Sequence, residues 1–105
     1  MGRAPRPKPK RLAEKLLQIR NAFGLSQSDM LKRLGFDDAL WYTQISGYEL
    51  GRSEPPLPIL LQYARAAGVY VDDLIDDEFD LPEKIPGTVR HEGIRRKAGA
   101  RGKKR

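Results

Sequence analysis

The chain has no cysteine and only one histidine in 105 residues. Without cysteine there is no disulfide framework, no thiolate zinc site and hence no zinc finger, and a reducing compartment fits. The histidine, His91, stands in a basic stretch with no carboxylate at useful spacing, so no imidazole is placed for acid–base or metal work. A glycine-rich phosphate loop is missing, as is a serine set beside a histidine, and neither enzyme activity nor a cofactor is expected. The acidic run Asp72, Asp73, Asp76, Asp77, Glu78 and Asp80 lacks the calcium-loop spacing with its central glycine. It reads as a solvated helix end, not a metal site. No apolar run approaches the ~18 to 20 residues of a membrane span, and the N-terminal residues lack the apolar segment of a signal peptide. These absences describe a soluble, cytoplasmic protein with no membrane partner and no evident small-molecule substrate.

Acidic side chains are also scarce at the two ends. Residues 1 to 11 carry five basic and no acidic side chains, residues 12 to 89 seven basic and thirteen acidic, and residues 90 to 105 eight basic and one acidic. The net charge of +6 therefore divides into +5, −6 and +7, and the basic character belongs to the ends. Residues 1 to 10, where Pro5, Pro7 and Pro9 alternate with Arg6, Lys8 and Lys10, read as an extended arm. Residues 82 to 105 hold too few apolar side chains to fold and read as a disordered basic tail. Either end serves as a solubilising tail or as a phosphate contact.

Between the arms, over residues 11 to 81, the apolar pattern is helical and never alternates long enough for a strand. Leu12, Leu16, Ile19 and Phe23 repeat at helical spacing before Gly24. Ser26 is a natural N-cap for a second helix over about 27 to 34, with Asp29 three residues on and Gly35 as its stop. Ile45 and Tyr48 give a third helix, about 42 to 50, one buried stripe and one outward face. Pro55 and Pro56 force an extended connection. Leu57, Leu60, Leu61 and Ala64 make a fourth helix ending at Gly68, and Val71, Leu74 and Ile75 mark a short fifth.

The run Leu25-Ser26-Gln27, then Ile45-Ser46-Gly47-Tyr48-Glu49-Leu50-Gly51-Arg52, Pro55, Leu60-Leu61-Gln62-Tyr63-Ala64 and Gly68-Val69-Tyr70-Val71-Asp72-Asp73-Leu74 resembles the Cro and phage-repressor-like helix-turn-helix family, the XRE type. The resemblance spans residues 12 to 75 and implies an all-α, compact five-helix repressor-like domain with disordered basic tails. It implies a sequence-specific DNA-binding transcriptional regulator, binding double-stranded DNA as a homodimer or on paired half-sites, with helix 3 in the major groove. It also implies an ion pair between Arg20 of helix 1 and Glu49 at the end of helix 3. Two features depart from the family. Gly35 and Ile45 lie ten residues apart where relatives keep about six, and Leu31 stands where alanine is usual. Either Trp41 fills the space of the longer turn as core, which the usual burial of large aromatics favours, or the turn makes contacts of its own.

At 100° per residue Thr43, Ser46 and Gly47 face away from the core, flanked by Tyr42 and Gln44. Gln44 is suited to adenine through its amide, the hydroxyls of Thr43 and Ser46 to bases or phosphates, and Gly47 to close backbone approach. Guanine readout lacks its usual arginine. Phosphate contacts fall to Gln27, Lys32, Arg33 and Arg52. Two other functions stay open: a helical protein–protein adaptor using the acidic segment, and a nonspecific nucleic-acid binder driven by the basic ends.

Overall fold

A computed structural model describes residues 8 to 88, which form five helices: α1 Leu12–Phe23, α2 Gln27–Leu34, α3 Tyr42–Glu49, α4 Leu57–Ala67 and α5 Val71–Ile75. A further helical turn begins at residues 86 to 88, and there is no strand among the described residues. Residues 1 to 7 of the arm expected at residues 1 to 10, His91 and the basic side chains from Arg90 onward lie outside them.

The helix ends are set by local chemistry. Ser26 Oγ accepts the Asp29 backbone N–H at 3.0 Å, satisfying one of the donors that the first turn of α2 leaves open. Gly35 closes the same helix at φ +85°, a left-handed conformation that a side chain disfavours. The amphipathic stripes then assemble one core. Leu12, Leu16 and Ile19 of α1 meet Met30, Leu31 and Leu34 of α2, Ile45 and Tyr48 of α3, Ile59, Leu60, Tyr63, Ala64 and Ala67 of α4, and Leu74 of α5. Leu31, larger than the alanine usual in relatives, is buried there.

The longer turn before α3 corrects one expectation. Phe36 and Leu40 fill the added space, packing on the core, and the Phe36 carbonyl accepts the backbone N–H groups of Ala39 and Leu40 at 3.0 and 2.9 Å. Trp41 instead stands 76% exposed. With Phe36 and Leu40 packed on the core, Trp41 stands outside it at the extended N-cap of α3 (φ −103°, ψ 152°).

The packed chain also runs past the expected boundary at residue 81. Leu81 and Ile85 are buried in the core, and Gly87 lies so close to the end of α4 that a Cβ would fall on the Ala66 carbonyl. Two spaced apolar residues were too few to signal burial in a basic, proline-containing stretch. This segment is reached through the acidic run, which acts structurally. The Asp77 carboxylate accepts the backbone N–H groups of Lys10 and Arg11, fixing the chain just ahead of α1 from across the fold. Arg11 donates to Glu14, to the Asp77 carbonyl and to Asp80. In return Lys15 of α1, fully buried, donates from Nζ to the carbonyls of Asp73 and Asp76, both at 2.8 Å. Those carbonyls end α5, where a helix leaves acceptors unpaired and favours a cation.

Candidate nucleic-acid interface

α3 packs against both α1 and α2, with Ile45 and Tyr48 turned inward. Its C-terminal end is tied down by charge. Arg20 Nε donates to Glu49 Oε2 at 2.7 Å and Nη2 to Oε1 at 2.9 Å, a planar two-bond pairing that fixes orientation as well as distance. Arg20 Nη1 reaches the Leu25 carbonyl at 2.9 Å, and Gln27 Nε2 donates to Glu49 Oε1 at 3.2 Å. One carboxylate thus joins α1, α2 and α3. Glu49 raises the guanidinium pKa of Arg20 through the hydrogen bond. Burial, and next the nearby Glu49 charge, pushes the Tyr63 hydroxyl of α4 far above its usual range, and burial raises that of Tyr48. Both phenols stay neutral behind the pair.

The outward side of α3 carries Tyr42 and Thr43, exposed, with Gln44, Ser46 and Gly47 half-buried. No charged side chain stands on this helix except Glu49, which faces inward. Two of the expected base-reading residues meet neighbours of their own. Gln44 Oε1 accepts the Trp41 backbone N–H at 3.0 Å, so its amide caps α3, and its nitrogen is the part left to donate outward. Gly47 turns its open side toward Ser53, whose Oγ would lie 3.1 Å from an added Cβ, and its carbonyl accepts the Arg52 N–H at 2.9 Å. The small residue therefore seats the turn after α3 more directly than it opens the backbone to a ligand.

Of the expected phosphate contacts, Lys32 and Arg52 are exposed. Gln27 is half-buried and held to Glu49. The Arg33 guanidinium lies 4.7 Å from the ring centre of Phe23, drawn back toward α1 by the negative face of the ring. Lys8, where the N-terminal arm joins the fold, lines one shallow hollow with Arg52 and Ser53. Lys8 thus lies beside the turn that follows α3.

A family model described as helix-turn-helix matches residues 16–74, more than half of the chain. The chain belongs to the XRE-type helix-turn-helix family. This is a family of DNA-binding regulators, and the match runs from the middle of α1 to Leu74 of α5. The clamp among Arg11, Asp77 and Asp80, and the segment that buries Leu81 and Ile85, lie beyond it. No curated protein and no solved structure matches significantly. No helix among the described residues is long and apolar enough to cross a membrane.

Three residues that matter here escaped the sequence reading. Lys15 falls on the apolar stripe between Leu12 and Ile19, and that placement, together with the acidic run downstream, was the available signal. Leu81 and Ile85 gave no periodic signal beyond their own spacing.

Proposed function

We propose that this helix-turn-helix protein is a sequence-specific transcriptional regulator that lays α3 in the major groove of double-stranded DNA. The observation that carries this reading is the outward face of α3: short, uncharged and polar, on a helix held rigidly by the Arg20–Glu49 pair. Rigid placement is what base readout requires, because hydrogen bonds to base edges tolerate little displacement. Tyr42, Thr43 and Ser46 approach bases, and Gln44 contributes through its amide nitrogen. Lys32 and Arg52 meet phosphates on either side.

Electrostatics divides the labour. Residues 8 to 88 hold ten basic and thirteen acidic side chains, so the packed domain is repelled by DNA until contact. The other ten basic side chains, at residues 1 to 7 and 90 to 105, supply sequence-independent attraction. Binding as a homodimer on paired half-sites follows the habit of such domains, where twofold protein symmetry meets an operator of matching symmetry.

Selection from random duplex DNA with the full-length protein tests this. The expected result is an enriched motif with twofold symmetry, bound with discrimination that Thr43→Ala with Ser46→Ala removes while binding to random duplex persists. Retention of full discrimination by the double variant refutes the assignment to α3. Uniform recovery of random sequences, with affinity set by salt alone, replaces it with nonspecific binding by the basic ends.

A further inference from the structure

Trp41 is the largest side chain of the protein, the only tryptophan, and 76% exposed. Its exposure does not come from a slack loop. The turn before it is closed by two hydrogen bonds onto the Phe36 carbonyl, its neighbours Phe36 and Leu40 pack on the core, and its own N–H is fixed by Gln44 Oε1. The residues that set the backbone on both sides are therefore engaged, and the indole is presented outward. It stands at the N-cap of α3, directly before Tyr42 and Thr43, which are exposed as well.

We propose that Trp41 is a specificity-determining residue whose indole face packs on the 5-methyl group of a thymine in the major groove. The proposal rests on the reading of α3 as the groove-entering helix, and it adds a residue and a base to that reading. Three observations converge on it. In a helix-turn-helix the N-terminal residues of the recognition helix are those that reach base edges, and Trp41 continues that end without a gap. Gln44, the residue best suited by type to adenine, has its carbonyl oxygen tied back to Trp41, so two-bond adenine readout is weakened and apolar contact gains weight there. Finally, Asp37 and Asp38 stand exposed on the same turn and are repelled by phosphate. The turn therefore does not act as a backbone clamp, and its chemistry for DNA is the flat apolar face and single N–H donor of the indole.

The thymine methyl is the one apolar group on the major-groove edge of a base pair, and it marks sequence. Uracil differs from thymine by that methyl alone, so the contact can be deleted from the DNA side without changing pairing. As the sole tryptophan, Trp41 also reports its own environment through its emission.

The experiment uses the full-length protein and a duplex enriched from a random pool, with each thymine replaced in turn by deoxyuridine. Binding the thymine duplex should quench or shift the tryptophan emission. Deoxyuridine at one or two positions should weaken wild-type binding about fourfold, the worth of one buried methyl. Trp41→Ala should bind the thymine duplex about tenfold or more weakly and show no penalty for deoxyuridine at those positions. Circular dichroism and an unchanged melting midpoint would show that the variant is folded, and Trp41→Phe should recover part of the thymine preference.

Equal deoxyuridine penalties in wild type and Trp41→Ala, with unchanged emission on binding, would overturn the assignment of Trp41. The groove-entry reading would survive that result if Thr43→Ala with Ser46→Ala still lost discrimination. Failure to enrich any motif would remove both. Emission that depends on protein concentration without DNA, together with a smaller sedimenting species for Trp41→Ala, would overturn the proposal by placing the indole in a contact between two copies of the chain.

Discussion

Replacing Glu49 by alanine should destabilise the protein by breaking the ion pair that ties α3 to α1. The carboxylate is 5% exposed and its partner Arg20 18%, so neither charge is well solvated in the folded state. Deleting Glu49 leaves Arg20 Nε and Nη2 without their acceptors at 2.7 and 2.9 Å, while Nη1 keeps the Leu25 carbonyl. Breaking a buried pair from one side costs about 3 to 5 kcal/mol, and the partial exposure of Arg20 places this case at the lower end, about 3 kcal/mol. Gln27 loses its acceptor too, which loosens the start of α2. For a domain of this size each kcal/mol moves the melting midpoint by about 4 to 8 °C, so a fall of at least about 10 °C is expected. Arg20→Ala should cost at least as much, because the more deeply buried charge is then the one left unpaired. The double variant should cost less than the sum of the singles, since each single strands a charge that the double removes. Thermal and urea melts of the four proteins measure this, and raised salt should change the coupling little because the pair is shielded from solvent. A Glu49→Ala midpoint within a degree or two of wild type, or strict additivity in the cycle, would refute the reasoning.

Lys15→Met should lower stability by about 1 to 3 kcal/mol in chemical denaturation, because the Asp73 and Asp76 carbonyls lose their donor although the stem volume is kept; a higher midpoint would mean that the ammonium is a net cost. Gly87→Ala should be destabilising by about 1 to 3 kcal/mol or release the segment from residue 81 onward, seen as faster amide exchange there while α1 to α4 stay protected. Backbone hydrogen bonds from Lys10 and Arg11 hold the Asp77 pKa below its ordinary 3.8, so its stabilising effect is complete above that value and disappears as pH falls through the lower folded value. Acid titration of wild type and Asp77→Ala should accordingly show a stability gap at pH 6 that narrows below pH 3.8, and a gap constant with pH would contradict the role of these hydrogen bonds. Ser26→Ala should cost about 1 kcal/mol in a urea melt through loss of the α2 cap, and no change would show that water replaces it.

The part of the candidate interface that was legible in the sequence is the part with few alternatives. Thr43 and Tyr42 are exposed as the helical period dictates, and Arg20 meets Glu49 as the family resemblance implied. Gln44, Arg33 and Gly47 were less legible because each found a partner within the protein: a backbone N–H, an aromatic ring, and the turn at Ser53. Polar side chains at helix ends choose between solvent, ligand and their own backbone, and that choice depends on distances that spacing does not encode.

By itself the sequence determined the five helices and the core they share, because those signals are local. A serine cap, glycines after α1, α2 and α4, prolines before α4 and apolar residues at helical spacing act within a few residues of one another. The tertiary structure alone decided that Lys15 is buried and that the acidic run holds the residues just before α1, since those bonds join residues 58 to 67 positions apart. It also decided that Leu81 and Ile85 belong to the core and that Trp41 does not. Burial is settled by how the other elements pack: Phe36 and Leu40 are the residues of the turn before α3 that pack on the core, and the indole stays outside, whereas the chain at Gly87 packs against the end of α4.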